Sequence, residues 1–533
     1  MHAAARGAAC APSSPSILVI MKSHFIPAAI AAITLCACGG SDSGMSPPAP
    51  ATPQRGQLIQ TPVQSVGVYP QAGMLTQLAG SPLGQLLLKT AYSPLCIINV
   101  YHLEYDTVDP MGNLTPASGA LMVPSGGTNC DGARPILEYA HGTKTDRTYN
   151  IADLGASDND EGLLMAAVFA SQGYIVVAPN YVGYDISTLG YHPYLNANQQ
   201  ADDMIDALTA ARSALPTADA PGTTDGGKLF VTGYSQGGFV AMAAHRAMQS
   251  AGMAVTAAAP LSGPYALSAF GDAVLEGEVD MSAPINISLL LPGYQHAYGN
   301  LYSSAADVFA PAYAAGIGSL LPSTTAISVL ETEGEIPASQ LFSSTPPAPS
   351  YAAFTPATEP ANLAPVFAAG FGPQYLILDS YRGSYLADAL ANPDGGFPAL
   401  TGGLPPANPG NTLRQALKLN DLRNWAPAAP VLLCAGDADP TVFYLNTRLM
   451  QNYWAVNAPP GPVAVLDIDS AAIANDPYAS FKKGFQAAKD AVILAAVAGG
   501  ATDGGASAVL NAYHAGLVPP FCLGAAKQFF DAQ

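Results

Sequence analysis

Residues 229–238 read Leu229-Phe230-Val231-Thr232-Gly233-Tyr234-Ser235-Gln236-Gly237-Gly238, and this stretch decides the fold. Its apolar and β-branched first four residues predict a buried strand, and the good helix formers at 239–244 predict a helix after it. The G-x-S-x-G spacing around Ser235 is that of a nucleophile elbow, a strained strand-to-helix turn that lifts a serine above a parallel sheet. Strand and helix backbones approach so closely there that side chains beside the serine would clash. A serine at a helix start also lies near unpaired N–H groups that favour a developing anion.

Length and composition set outer bounds on the class of protein. The chain has 533 residues, of which 49% are apolar, so it can build a large core without disulfide support. Charged residues make up only 11%, and the formal net charge is −19. An acidic, weakly charged chain argues against nucleic acid and anionic membrane surfaces as partners.

The N-terminal 38 residues predict a targeting segment. Residues 1–20 are interpreted as upstream sequence, with Met21 as the start of a short basic segment and 25–35 as an apolar run too short to span a bilayer. Residues 35–39, Leu-Cys-Ala-Cys-Gly, resemble a bacterial lipobox, which implies lipidation of Cys38 and an anchor in the outer membrane. The alternative is an ordinary signal peptide and a secreted protein.

The rest of the chain divides by its patterns into four segments. Residues 39–65 are rich in Gly, Ser, Pro, Ala and Thr and predict a disordered tether. Alternating strands and helices over 66–264 predict a mostly parallel sheet covered on both faces. This alternation stops over 265–425, which predicts an inserted cap or lid, and resumes over 426–533. The fold class is therefore α/β with a large insertion.

Four cysteines remain after removal of the targeting segment, and in an exported chain they permit two disulfides in three connectivities. Cys96 with Cys130 would close a local loop, and Cys434 with Cys522 would join two C-terminal segments. The alternative is free buried thiols, above all for Cys434 within an apolar strand.

A serine at an elbow needs a base and an orienting carboxylate, in the order Ser, Asp or Glu, His along the chain. The strand at 430–436 is followed by Asp437-Ala438-Asp439-Pro440-Thr441-Val442, which resembles the G-x-x-D-x-x-V pattern of an acid loop and selects Asp439. Asp437 is the rival, with bracing of the turn as its alternative role. Of the histidines, only His514 lies beyond the acid strand, in a predicted loop before the last helix.

Backbone N–H donors must stabilise the oxygen that becomes charged during acyl transfer. One donor should be Gln236, the residue after the serine. The other should come from His141-Gly142-Thr143, with Thr143 as the first choice and Gly142 as the second. His141 is then expected to act structurally.

These motifs resemble the α/β-hydrolase superfamily over about residues 90–533, and within it the secretory lipase family. The resemblance rests on the stretches 139–143, 179–184, 192–195 and 233–238. Asn180 departs from the aspartate expected in the second stretch, which puts any salt bridge there in doubt. The resemblance implies hydrolysis of carboxylic esters with a cap over an apolar acyl pocket, as in lipases and carboxylesterases.

The sequence also bears on other functions. The runner-up substrates are polyesters or aromatic esters, and a non-catalytic surface lipoprotein is the second class of function. A peptidase of the same fold is disfavoured, because no acidic pair is suited to grip a free amino terminus. The acidic run 153–161 lacks the spacing of a calcium loop and is interpreted as a solvated helix cap. No metal-ligand spacing and no cofactor motif is present, so the expected partner is a small-molecule or lipid ester.

Overall fold

The computed structural model describes residues 53–80, 82–89, 93–157, 159–218, 222–457 and 461–533. The predicted targeting segment 1–38, including Cys38, lies outside the described residues. Residues 39–52, the first part of the predicted tether, also lie outside the described residues.

The described part of the chain contains one nine-stranded sheet. Its strands, in chain order, are β1 (Gln64–Tyr69), β2 (Ile97–Val108), β3 (Leu114–Ser125), β4 (Gly132–Ala140), β5 (Ile175–Pro179), β6 (Thr223–Tyr234), β7 (Ala257–Leu261), β8 (Val431–Ala435) and β9 (Val463–Asp467). Their order across the sheet is β1-β2-β3-β5-β4-β6-β7-β8-β9. The first three strands pair antiparallel, and all pairs from β5 to β9 are parallel. The predicted mostly parallel sheet is confirmed.

Helices lie between these strands and after the last one. They are α1 (Gln71–Ala79), α2 (Pro82–Lys89), α3 (Asp160–Val168), α4 (Ala197–Ala214), α5 (Gln236–Ser250), α6 (Leu267–Leu275), α7 (Ala283–Tyr298), α8 (Ile327–Glu333), α9 (Ala364–Ala369), α10 (Asp379–Ala391), α11 (Thr412–Asn420), α12 (Leu445–Asn457), α13 (Ala479–Ala498), α14 (Ala506–Ala512) and α15 (Val518–Asp531). Helices α4 and α5 pack on each other and on the sheet, while α3 and α15 form a second group against the central strands. Parallel strands need such cover because they are buried on both sides.

The region between β7 and β8 contains α6 to α11 and long irregular connections. Two buried arginines hold it together. Arg414 lies 2.7 Å from Asp272 and 2.8 Å from Asp388, so it joins α11 to α6 and α10. Arg423 lies 2.6 Å from Asp394 and 2.8 Å from Asp421. Buried guanidinium groups of this kind need full pairing, and these have it.

The predicted tether reaches too far along the chain. Within residues 53–65, the N–H of Gly56 donates to the carbonyl of Asp106, and Arg55 pairs with Asp202 and Asp206 on α4. Strand β1 then adds an antiparallel edge beside β2. The Pro- and Gly-rich composition concealed this segment, because its order comes from pairing with distant residues and not from local preference.

Both disulfides named from the sequence are present. Cys96 is bonded to Cys130, and Cys434 is bonded to Cys522. The second bond joins β8 to α15, which are the elements before and after the segment that contains Asp439 and His514. Among the described helices, none is both long and apolar enough to cross a bilayer.

Candidate active site

Ser235 lies in the tight turn between β6 and α5. Its backbone has φ 60° and ψ −123°, a left-handed conformation that costs a non-glycine residue free energy and is kept where the surroundings enforce it. A side chain at Gly233 or Gly237 would overlap the carbonyl oxygen of Ala140 on the neighbouring strand β4. The predicted clash is therefore confirmed, and it explains why glycines flank the serine.

Three predicted residues form one hydrogen-bonded chain. His514 Nε2 lies 2.8 Å from Ser235 Oγ, and His514 Nδ1 lies 2.7 Å from Asp439 Oδ2. Asp439 is fully buried, and its other oxygen accepts the N–H groups of Thr441 and Val442 at 2.9 and 3.0 Å. The arrangement leaves His514 Nε2 to accept the serine proton while the carboxylate holds Nδ1–H.

The rival carboxylate, Asp437, points elsewhere. Its side chain is 59% exposed and lies 3.6 Å from Arg448 on the surface. Its own N–H donates to Asp467, so the residue braces the turn, which is the alternative role considered from the sequence.

His514 lies in a helical turn and not in the predicted loop. Residues Tyr513–Leu517 form a wide π-type turn that links α14 to α15. The hydroxyl of Tyr234 donates to the carbonyl of His514 at 2.6 Å, and the hydroxyl of Tyr513 accepts the N–H of Ala438 at 3.2 Å. These two tyrosines fix His514 relative to the serine turn and the loop of Asp439. No local sequence pattern indicates their roles, because both contacts join distant segments.

The two first-choice oxyanion donors remain free. Within the described residues, neither the N–H of Gln236 nor that of Thr143 has an acceptor, and both residues line the cavity that contains Ser235. Gly142, the second choice, is wrong as a donor, since its N–H donates to Glu161 Oε2 at 2.9 Å. A Cβ on Gly142 would lie 3.6 Å from that of Ser235, so the glycine brings this loop against the serine.

Glu161 is a residue that sequence analysis missed. Its carboxylate accepts the hydroxyl of Tyr139 at 2.6 Å and the N–H of Gly142, and lies 3.4 Å from Lys144 Nζ. Burial raises the pKa of Glu161, but Lys144, His141 and the donated hydrogen bonds outweigh burial and lower it overall. The interpretation of 153–161 as a solvated helix cap is therefore wrong at Glu161, which holds the oxyanion loop as an anion.

Two buried histidines support the site without belonging to the hydrogen-bonded chain. Burial lowers the pKa of His141 to about 4 and that of His192 to about 3, so both are neutral at physiological pH. His141 lies 3.1 Å from the carbonyl of Asn180 and packs on Tyr181, which confirms its structural role. His192 Nε2 lies 2.7 Å from the side-chain nitrogen of Gln236. Because His192 Nδ1 faces the carbonyl of Val182, its Nε2 is the acceptor in this pair.

A cavity of about 450 Å³, here called the main cavity, opens above Ser235 and His514. It lies between the sheet edge and the segment between β7 and β8. Its apolar lining comes largely from this segment and includes Leu267, Phe270, Val274, Leu275, Ile285, Leu290, Leu413 and Leu417. Volumes in this range suit small organic ligands. No group of three or more potential metal ligands is found within the described residues.

The fold and the site define a serine hydrolase of the α/β-hydrolase fold. The sequence model of the prolyl oligopeptidase family matches residues 163–279, a minority of the chain that includes Ser235 but neither Asp439 nor His514. A search of curated proteins found no match.

Solved structures provide the closer comparison. The rice cell wall degrading esterase LipA from Xanthomonas oryzae is 27% identical, with a TM-score of 0.59, over 78% of this chain and 91% of that one. A variant of the same esterase is 25% identical, with a TM-score of 0.64, over 90% and 100%. A Legionella pneumophila protein at 18% identity, with a TM-score of 0.59 over 89% and 98%, shows the fold alone.

Proposed function

We propose that this protein hydrolyses carboxylic esters of the lipase or carboxylesterase type through an acyl-enzyme on Ser235. One observation carries the proposal. Ser235 and His514 of the hydrogen-bonded chain line the same cavity as Gln236 and Thr143, whose N–H groups have no acceptor within the described residues. Nucleophile, base and oxyanion donors thus converge where an acyl carbonyl can lie.

Each residue has one chemical task in the proposed reaction. Ser235 Oγ attacks the ester carbonyl while His514 Nε2 takes its proton, and the N–H groups of Gln236 and Thr143 stabilise the negative oxygen. His514 then gives the proton to the leaving alkoxide, which departs as the alcohol and leaves the acyl group on Ser235. Water attacks this ester with His514 again as the base, and the acid is released. Asp439 stays ionised and stabilises the imidazolium throughout.

The main cavity favours an apolar acyl group. Its lining is dominated by aliphatic side chains, whose contact with an alkyl chain is favourable by about 0.8 kcal/mol per buried CH₂. The likeness to an esterase that degrades the rice cell wall supports an ester substrate and keeps polyesters or plant aromatic esters as the runner-up.

Amide hydrolysis is a second candidate, favoured by the match to the prolyl oligopeptidase family over 163–279. Such an enzyme could grip a substrate amine with acidic side chains, and Asp160, Glu161 and Asp280 do line the main cavity. However, Glu161 is already paired with Lys144 and Gly142. We therefore rank peptide bonds below esters.

The test uses purified protein with para-nitrophenyl esters of graded chain length and with aminoacyl para-nitroanilides. We expect turnover of the esters, and the Ser235→Ala variant to lower kcat/KM by about 10⁴-fold or more. Turnover of the anilides alone would favour the peptidase. Wild type and Ser235→Ala giving equal rates on every substrate would reject the enzyme and favour a binding lipoprotein.

Export and anchoring form a separate proposal that rests on the sequence of residues 21–39. We propose that Cys38 is lipidated and anchors the protein to the outer membrane. Metabolic labelling with a palmitate analogue should mark the wild type and not the Cys38→Ala variant. Equal labelling of both, or none of either, would contradict the anchor.

A further inference from the structure

A row of polar side chains in the lining of the main cavity runs from the loop of Thr143 to helix α7. Thr143 Oγ1 lies 2.9 Å from the hydroxyl of Tyr194. That hydroxyl donates to Asn286 Oδ1 at 3.2 Å, and Asn286 Nδ2 donates to Asp280 Oδ1 at 3.3 Å. All four residues line the cavity. The row is therefore in contact with whatever occupies the cavity.

The hydrogen bonds in this row have a single direction. Tyr194 has one hydroxyl proton, and this proton goes to Asn286, so Thr143 must donate its own proton to the Tyr194 oxygen. Asn286 accepts at Oδ1 and donates at Nδ2. Each step of the row thus depends on the one beside it, and loss of the Tyr194 hydroxyl separates Thr143 from α7.

Hydrogen bonds on both sides hold the backbone next to Thr143: the N–H of Gly142 donates to Glu161, and the hydroxyl of Tyr184 donates to the carbonyl of Lys144. The N–H of Thr143 is one of the two donors without an acceptor within the described residues. The row adds the contact that holds the side chain of Thr143 itself. A donor contributes fully to an oxyanion site only at a distance of about 2.7–3.1 Å from the developing charge. A small displacement of Thr143 would therefore reduce the rate of acyl transfer.

Helix α7 presents both the polar link and part of the apolar lining. Ile285, Ile287 and Leu290 line the main cavity beside Asn286. An alkyl chain in the cavity would pack on these side chains and so would restrain the helix that holds Asn286. Helix α7 therefore links an occupant of the apolar lining to the position of the Thr143 N–H.

We propose that Tyr194 and Asn286 are positioning residues that couple the acyl chain in the main cavity to the oxyanion donor Thr143. This inference rests on the proposed ester hydrolysis at Ser235. Binding energy from the remote part of the acyl chain is then used in the transition state, so that a longer chain raises kcat as well as lowering KM.

The experiment measures kcat and KM for C4, C8 and C12 para-nitrophenyl esters in the wild type and in Tyr194→Phe. In the wild type, kcat should rise with chain length. Tyr194→Phe loses the hydrogen bond from Thr143 and the one to Asn286, and kcat on the longer esters should fall about three- to tenfold. The rise of kcat with chain length should disappear, while KM should still fall with chain length because the apolar lining is intact.

Tyr298→Phe is the matched control. Tyr298 is the last residue of α7, and its hydroxyl accepts Asn420 Nδ2 at 2.8 Å, away from the main cavity. This variant also removes a tyrosine hydroxyl that is hydrogen-bonded at α7, and its kcat profile should follow the wild type. Asn286→Ala should reproduce Tyr194→Phe.

Several outcomes overturn the inference while leaving ester hydrolysis standing. These are a wild-type kcat that does not vary with chain length, a Tyr194→Phe profile parallel to the wild type, and a flattened profile in Tyr298→Phe. Melting temperatures of all variants are measured alongside, and the comparison uses the ratio of kcat values across esters, which a change in the folded fraction does not alter. The Ser235→Ala variant separately tests whether the protein hydrolyses esters through Ser235.

Discussion

At the scale of single residues, the two aspartates of the acid loop differ in every contact. Asp439 is fully buried and its two oxygens receive hydrogen bonds from His514, Thr441 and Val442. Asp437 is exposed near Arg448. The two aspartates are only two positions apart in sequence but differ greatly in environment. A matched pair of substitutions can measure how this difference affects kcat.

Asp439→Asn should lower kcat on a para-nitrophenyl ester by about 10³–10⁴-fold. An amide at this position would present an N–H to His514 Nδ1 and favour the tautomer with the proton on Nε2, which cannot accept the serine proton. Asp437→Asn changes an exposed and weakly coupled charge, so its kcat should stay within about twofold of the wild type. A larger loss in Asp437→Asn than in Asp439→Asn would contradict the assignment.

The residues predicted from sequence share one property, which is a local signature. Ser235 follows from its glycines, Asp439 from its strand and turn, and His514 from its place after the acid strand. Glu161, Tyr194 and Tyr513 have no such signature, because their roles come from contacts with residues far along the chain. A single sequence contains no measure of those distances.

At the scale of elements, the strand that leads to Asp439 is bonded to the helix that follows His514. Cys434 lies in β8 and Cys522 in α15, and both are buried. The other disulfide, Cys96–Cys130, joins segments outside the main cavity lining. Removing each bond in turn therefore distinguishes an effect on stability alone from an effect on the geometry of Asp439 and His514.

Replacing Cys434 and Cys522 together by alanine should lower the free energy of unfolding by about 2–5 kcal/mol and lower kcat by at least about threefold, because the acid and the base lose their shared clamp. Replacing Cys96 and Cys130 should lower stability without this loss of kcat. Denaturant unfolding and kcat per folded molecule test both. An equal loss of kcat in the two double variants would contradict a specific role of the Cys434–Cys522 bond in catalytic geometry.

At the scale of the whole molecule, buried ionisable groups determine how stability varies with pH. Burial raises the pKa of several carboxyl groups to about 7, namely Asp203, Glu276, Glu278 and Asp280. It raises the pKa of Glu138 well above its ordinary value, and both oxygens of this side chain lack a partner within the described residues. Burial lowers the pKa of His141 and His245 to about 4 and that of His192 to about 3.

We expect the protein to lose stability as pH rises toward 7.5. Unfolded carboxyl groups release their protons near pH 4 but the buried ones keep them to about 7, so the folded state binds more protons in this window and stability falls by about 1.4 kcal/mol per group and pH unit. The buried histidines act oppositely, but only below about pH 6.5. The steepest fall should therefore lie between about pH 6.5 and 7.

Calorimetric melting temperatures from pH 5 to 8 check this expectation. Glu138→Gln removes one of the titrating groups, so its melting temperature should gain on the wild type as pH rises. A wild-type melting temperature that increases from pH 6 to 8 would contradict the assignment.

Most of the fold could be predicted from the sequence, and the errors of that prediction have a common origin. Strands β4 to β8 could be predicted because each contains an apolar run between predicted helices. Strand β1 does not, because it lies at an edge with partly exposed side chains and depends on pairing with β2. The segment between β7 and β8 was recognisable only as a break in the alternation, since its six helices are held by buried ion pairs such as Arg414 with Asp272.

The bond between Cys434 and Cys522 spans the inserted helices α13 and α14, whose connection is exposed over residues 502–504. A protease that cuts this connection would divide the protein into a long chain with Ser235 and Asp439 and a short chain with His514. The two would remain one covalent molecule until a reductant is added. Nucleophile and base would then belong to separate polypeptides and still face each other across 2.8 Å.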